Sequence, residues 1–534
     1  MSLPTTLPDE LRCPGAWPVP SSMPVELIET HVSWIFRGEH DVFKVKKPVS
    51  LGFLDFGSAQ RRRAACEDEV RLNARLAPGV YRGVVPIVRQ PDGRLAFGGA
   101  ANRACEGEVV DWAVHMVRLP DSARADALLA VAALKPAHLD AIASIIADLH
   151  ARTAVDRETA VRFASPSAIE RNVRENFDQI RQKARDIVDD QVASEVEHKQ
   201  LDFVRGRAAL LEERLATRIC DGHGDLRLEH VYLLPQGLRI IDCIEFDERY
   251  RIADACADVA FLAMDLAGRG DSDLAERFLA AYARASQDYD LYAFVDFYES
   301  YRAWIRGKVS AVLAEDAGAD GRTRAEAAKA ARSHFLLAQA CERPPLLAPT
   351  LVCVGGIVAS GKSTVAECVA GELGCPIVDT DRARRHLLGA SQDHPRDEPA
   401  WQGAYDPAVT DRVYTEVLRR ASVVLSSGRS VVVDASFRAS SARGRARDLA
   451  RSRGAEFRFV HCQAPPDVCR ARLQRREAGP SEAHLAMFDA FVASFEPVGE
   501  LPAAELVEID TTNPPARSAE MLRERIATWP RGLR

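Results

Sequence analysis

The chain has 534 residues, 47% of them hydrophobic and 28% charged, with a formal net charge of −7. That length exceeds one ordinary core and implies several compact units, while the composition excludes a disordered or fibrous chain. No run approaches the roughly 20 apolar residues of a membrane span, and the acidic balance weighs against nucleic acid or an anionic membrane as partner.

In chain order, the prolines from Pro4 to Pro24 predict an extended tail over residues 1–24. This start lacks the basic and apolar regions of a secretion signal, and the twelve cysteines form no C-x-x-C pair, so a cytoplasmic protein without disulfides or structural zinc is expected. Val32 to Phe36 and Val42 to Lys46 read as strands around a turn. A helix from Ser58 to Leu76 and strands at Val84 to Val88 and Val109 to Val117 complete a small sheet with one helix over 25–119. Helical spacing dominates 120–342, interrupted by His223-Gly-Asp225 and a hairpin whose strands end at Leu234 and Asp242. The proline-rich run Arg343 to Pro349 resists helix and strand and marks a linker at 343–349. From 350 to 534, strands at Leu351 to Val354, Pro376 to Val378, Ser430 to Val433 and Phe457 to His461 alternate with helices, which predicts a parallel, doubly wound α/β sheet.

Two stretches carry phosphate chemistry. In Gly356-x-x-x-x-Gly361-Lys362-Ser363, between a strand and a helix, the glycines let backbone N–H groups turn towards phosphates. Lys362 reaches the outer phosphates, the Ser363 hydroxyl suits Mg²⁺, and Ser360 and Thr364 belong to the same loop. Val431 to Asp434 ends a strand in a carboxylate placed to hold the Mg²⁺ water shell. Val378-Asp379-Thr-Asp381 brings two more carboxylates near the loop: Asp379 as a further metal residue and Asp381 as base or orienter of an acceptor hydroxyl, unless either is a helix N-cap. Arg384, Arg385 and Arg443 are candidate substrate contacts. Arg472 and Arg476, four apart on one helix face of an arginine-dense segment, are candidates to stabilise charge on a transferring phosphoryl group; a solvated helix face is the plainer role for each.

These motifs, with Val-Asp-Thr-Asp-Arg-Ala-Arg-Arg and Arg-Leu-Gln-Arg-Arg, resemble small-molecule P-loop kinases of the gluconate-kinase and zeta-toxin kind over about 347–534. The resemblance implies ATP as donor. Its acceptors range from sugars and nucleotide sugars to polynucleotide ends.

His223-Gly-Asp225, followed by Ile240-Ile-Asp242, resembles the aminoglycoside-phosphotransferase-like branch of the protein-kinase fold over about 25–342. That resemblance implies a bilobal α+β fold divided at 119/120. It makes Asp225 the acceptor of the substrate hydroxyl proton, Asp242 the Mg²⁺ ligand and Asp258 a brace for the loop. It also requires a strand lysine paired with a helix glutamate. Lys44 and Lys46 both qualify, two apart on one strand face, with Lys44 favoured and Glu69 as partner. His230 stands where this fold usually has a second metal ligand, asparagine. Imidazole suits Mg²⁺ poorly, so one metal suffices, Mn²⁺ substitutes, or turnover is lost.

The expected protein is thus a bifunctional ATP- and Mg²⁺-dependent kinase acting on hydroxyls of small, sugar-like acceptors. The alternatives are a polynucleotide-end kinase and a P-loop kinase regulated by a catalytically weak N-terminal nucleotide-binding domain.

Overall fold

The structure is a computed structural model that describes all residues except 1–6, 19–22, 31, 52–53, 99–106, 182–185, 317, 342–346, 390–400, 476–484 and 526–534. It divides into two compact units: Met1–Glu175 with Leu201–Asp265, and Asn176–Gln200 with Leu266–Arg534. The expected linker at 343–349 therefore falls inside the second unit, and most of it lies outside the described residues.

The first unit has a kinase-like fold. Its six-stranded antiparallel sheet comprises β1 (Glu26–Glu29), β2 (Ser33–Arg37), β3 (Asp41–Lys46), β4 (Tyr81–Arg89), β5 (Leu95–Phe97) and β6 (Glu108–Val117), in the order β1-β2-β3-β6-β4-β5. Strand alternation decides what each face does. On β3, Phe43 and Val45 enter one apolar cluster, while Lys44 and Lys46 point to the other face. There they meet Glu69 on the helix Ala59–Asn73, which Ser58 caps by accepting from the Arg61 N–H.

The tail is not extended as expected. Leu7–Leu11 forms helix α1 and Pro14–Ala16 a 3₁₀ turn, and Leu7, Leu11 and Trp17 bury themselves against Phe43 and Phe97. Prolines are tolerated in first turns, where their missing N–H has no intrahelical partner anyway, and the open sheet face needs an apolar cover. Trp17 stands edge-on to Phe43 at 4.9 Å and donates its Nε1–H to the Leu11 carbonyl at 2.9 Å. Calling Ala59–Asn73 α2, the unit continues with β7 (Ile219–Asp221), the hairpin β8 (Val231–Leu234) and β9 (Gly237–Ile240), and β10 (Ile252–Asp254), which pairs with β7 and leads into α3 (Ala255–Gly268).

The second unit has a P-loop NTPase fold. Its five-stranded parallel sheet runs β12-β13-β11-β14-β15, from β11 (Thr350–Gly355), β12 (Ile377–Asp379), β13 (Val431–Asp434), β14 (Glu456–Gln463) and β15 (Leu506–Asp510). Edge strand β15 is an addition to the expected four. The helices of this unit include α4 (Ser272–Ser286), α5 (Val295–Ala314), α6 (Gly321–Ala340), α7 (Lys362–Leu373), α8 (Thr380–Leu388), α9 (Pro407–Ser426), α10 (Ser440–Ser452) and α11 (Pro466–Gln474). Among the described residues no helix is long and apolar enough to cross a membrane.

If the tail seals the sheet, Trp17→Ala removes a buried aromatic and lowers unfolding stability by about 3–5 kcal/mol, read as a lower urea midpoint. An unchanged midpoint would mean that the tail contributes no core.

Candidate active sites

In the first unit, β7 delivers a loop that one carboxylate holds at two consecutive backbone N–H groups. Asp258, at the start of α3, accepts from the backbone N–H of His223 at 2.6 Å and of Gly224 at 2.8 Å. Gly222 permits this approach, since a Cβ there would stand 2.2 Å from Asp258 Oδ2. Burial pushes His223 down to about 4, so its ring is neutral. Its Nε2–H donates to the Ile241 carbonyl at 3.0 Å, and Nδ1 accepts from the Asp225 N–H. Asp225 is thereby fixed from both sides of the loop.

Arg227 then grips the Asp225 carboxylate with two bonds of 2.9 Å. The sequence reading did not single out Arg227; its position two residues after Asp225 was the available signal. His230 is buried, and its Nδ1–H donates to the Asp225 carbonyl at 2.9 Å, which leaves Nε2 facing Asp242 Oδ2 at 3.6 Å.

Both candidate lysines are largely buried and paired with carboxylates, and neither is a surface charge. Lys44 Nζ lies 2.9 Å from Glu69 Oε1 and 2.7 Å from Asp242 Oδ1; Lys46 bonds Glu69 Oε2 at 2.5 Å and also Glu245. Lys46 is 1% exposed and Lys44 13%, so Lys44 is the one at the cleft. Burial opposes ionisation of Asp242, yet Lys44 overrides it and holds the carboxyl well below the ordinary carboxylate range. Asp242 itself sits at φ +65°, a conformation rare outside glycine, with its N–H donating to the Tyr81 hydroxyl.

In the second unit, β11 feeds the glycine loop and α7. Gly356 (φ +148°) cannot carry a side chain, because a Cβ would meet the Cys462 carbonyl at 2.5 Å and Ser360 Oγ at 2.7 Å. Gly361 (φ +86°) is the N-cap of α7. Lys362, Ser363 and Thr364 line a cavity of about 390 Å³ together with Asp379, Asp381 and Arg384. The parallel register of β12 and β13 sets Asp379 beside Asp434. Asp379 is the N-cap of α8, accepting from the Arg382 N–H at 2.7 Å, whereas Asp381 stays more open to the cavity. Burial pushes Asp434 up to about 6, against the pull of Lys362 and the Ser363 hydroxyl.

The arginines separate by what holds them. Arg472 reaches over the loop to the carbonyls of Ala359 and Thr511. Arg384 donates to the Ala404 carbonyl and lies over the Tyr405 ring, and Arg438 lies 3.9 Å over Trp401; both line the cavity. Arg385 does not line it. Arg443, expected among the substrate contacts, is instead completely buried. It donates to the Phe437 and Pro497 carbonyls and to Glu500, because it lies on the inward face of α10 and ties that helix to 496–500. Arg476 lies outside the described residues. Arg438 and the aromatic wall were invisible in sequence, since they have no motif spacing.

A carboxylate-bearing catalytic loop with a lysine–glutamate pair, and a phosphate loop with carboxylates at adjoining strand ends, define an ATP-dependent kinase. The profile of the Phosphotransferase enzyme family matches residues 42–298, and that of the AAA domain matches residues 351–498. The uncharacterized protein Rv2004c of Mycobacterium tuberculosis is 32% identical over 479 residues, 90% of this chain and 91% of that protein, and Mb2027c of Mycobacterium bovis matches equally. The chain belongs to the family of these proteins, a phosphotransferase domain joined to a P-loop kinase domain. Similar solved structures include a choline kinase from Cryptosporidium parvum (13% identity, 61% of this chain and 93% of that one, TM-score 0.37). Another is a gluconokinase from Sinorhizobium meliloti (22% identity, 35% and 94%, TM-score 0.26).

Because Asp434 holds its proton more tightly folded than unfolded, the unfolded chain ionises first as pH rises. Native stability therefore falls between about pH 4 and about pH 6 by up to about 3 kcal/mol from this group. Asp434→Asn should raise the thermal midpoint of nucleotide-free protein at pH 7.5 while removing that pH dependence. A lowered midpoint would show that the ionised carboxylate is net stabilising.

Proposed function

We propose that the chain is a bifunctional, ATP- and Mg²⁺-dependent phosphotransferase with one active site in each unit, each transferring the γ-phosphoryl group to a hydroxyl of a small, sugar-like acceptor. The observation that supports this reading is that each unit gathers its own set of groups suited to phosphoryl transfer. Lys44, Glu69 and Asp242 meet in the first, with His230 lying between Asp242 and Asp225; the glycine loop, Lys362, Asp381 and Asp434 line one cavity in the second.

In the first site the acceptor oxygen attacks the γ-phosphorus, the bond from that phosphorus to the β,γ-bridging oxygen breaks, and the hydroxyl proton passes to Asp225. A carboxylate held by Arg227 is a weak base, so Asp225 chiefly orients the hydroxyl and takes its proton late. Lys44 exchanges Asp242 for nucleotide phosphate. Asp242 would hold the Mg²⁺ or Mn²⁺, with His230 Nε2 beside it. In the second site the glycine-loop N–H groups and Lys362 hold phosphates, Ser363 and Asp434 would hold the metal with Asp379 behind, and Asp381 orients the acceptor. Arg384 and Arg472 face the charge that develops on transfer. A divalent ion, when bound, neutralises part of that charge in either site. The glycine cradle and the buried carboxylate beside Ser363 fit such a group.

The arginine-dense segment supports small acceptors over polynucleotide ends. Arg443 is spent on carbonyls, Arg445 on Asp411 and Arg447 on Glu505. Few of these cations remain for a phosphate backbone. A regulatory first unit is the second reading, favoured by His230 and by the fact that protein cations already occupy both Asp225 and Asp242.

The test uses the full chain and a library of sugars and sugar acids, with products read by mass spectrometry. Asp225→Asn and Lys362→Ala should each delete a different set of phosphorylated products, and the double variant all of them. If Lys362→Ala alone removes every product, the first unit is not an enzyme. His230→Asn should preserve or raise Mg²⁺-supported turnover of the first site, since an oxygen ligand replaces imidazole; loss of turnover would assign the imidazole its own role.

A further inference from the structure

The Phosphotransferase enzyme family match extends to residue 298 and the AAA domain match begins at 351, but the compact unit around the P-loop begins at Leu266. The stretch between those limits does more than pack. Helix α4 ends at Ser286, and Gln287, at φ +56°, turns the chain into the 3₁₀ segment Tyr289–Ala293. From this corner Arg284 lines the same cavity as Lys362, Asp379 and Asp381.

Three contacts fix the corner against the P-loop site. Arg284 Nη1 donates to Glu367, one turn beyond Ser363 on α7, while its Nε lies 3.9 Å from Asp379 Oδ2. Tyr289, 1% exposed, donates its hydroxyl proton to the Ile377 carbonyl at 2.5 Å. Ile377 is two residues before Asp379 on β12, an edge strand whose one strand partner among the described residues is β13. The neighbouring Pro376 carbonyl accepts from Val432 on that partner, so the Ile377 carbonyl points outward and needs a donor from elsewhere. Arg420 on α9 lies over the Tyr289 ring and donates to Gln287 at 2.8 Å, closing the corner from behind.

We infer that Arg284 and Tyr289 are positioning residues of the P-loop reaction: they clamp the outer edge of β12 so that Asp379 and Asp381 face the phosphate loop at working distance. The inference rests on the reading of this cavity as a kinase site. A three-residue edge strand with one neighbour has little else to fix its end, and a shift of about 1 Å in a reacting geometry costs about a hundredfold in rate. Arg284 also lies beside two carboxylates, Glu367 and Asp379, and shares the charge of the second with Arg382. The clamp comes from sequence that belongs to the other family's match, so a P-loop kinase lacking this helix has no equivalent of it.

The test is Mg-ATP hydrolysis by the full chain carrying Asp225→Asn, with water as the acceptor and Lys362→Ala as the control that ascribes turnover to the P-loop site. Tyr289→Phe, which deletes one hydroxyl, and Arg284→Met should each lower kcat at least about tenfold with KM for ATP changed less than about threefold, and Arg284→Lys should recover part of the loss. A purely structural role would lower the melting temperature and the active fraction while leaving kcat per folded molecule unchanged, and that result overturns the clamp. Should Arg284→Met fail to fold, Tyr289→Phe and Arg284→Lys decide alone. Hydrolysis that survives Lys362→Ala overturns the P-loop reading itself, and the clamp with it.

Discussion

Charge taken out of water has to be compensated where it stands, and both sites are organised by that requirement. In the first unit two lysines and three carboxylates occupy one cleft, each cation lying against two carboxylates: Lys44 on Glu69 and Asp242, Lys46 on Glu69 and Glu245. Remove Glu69 and both lysines lose a partner; remove Lys44 and Asp242 loses its nearest cation. This interdependence explains why the deeper lysine is as closely held as the one at the cleft. The second unit solves the same problem less completely. Asp434 is opposed by burial and by Asp379 and Asp381, with Lys362 and the Ser363 hydroxyl pulling the other way. Its burial is thus a standing cost, of the kind proteins retain where function needs a group ready to receive a cation.

Much of this was legible because it is local. The glycine loop, the strand ending in Asp434, the His223-Gly-Asp225 turn and the β3 lysines are each read from a few adjacent residues whose spacing has one physical meaning. Alternation alone placed Lys44 and Lys46 on one face. The helix glutamate followed from helical spacing. The parallel sheet followed from strands that alternate with helices.

What escaped the sequence was decided by long-range neighbours. Arginine density at 438–476 suggested phosphate contacts, but whether a given guanidinium faces a cavity or a set of carbonyls depends on helix rotation. Arg443 and Arg438, five residues apart, went opposite ways. The prolines near the start suggested extension, but Trp17 had an aromatic pair to cover and the chain folded back to do so. Arg227 was overlooked because its partner is its own loop. Arg284 could not have been found at all, since Glu367 and Asp379 lie 83 and 95 positions away along the chain.

The burial of α4 and the following turn alters how the chain can be taken apart. Arg429, just before β13, is nearly inaccessible and held by Glu276 on α4 and Asp296 on α5. A cut at the proline-rich run would leave that guanidinium, the Ile377 carbonyl and Glu367 without their partners. The segment that looks most severable in sequence is therefore a seam within a single folding body. Moving this P-loop domain into another protein without the helices that carry Glu276, Arg284, Tyr289 and Asp296 would strip those contacts from it.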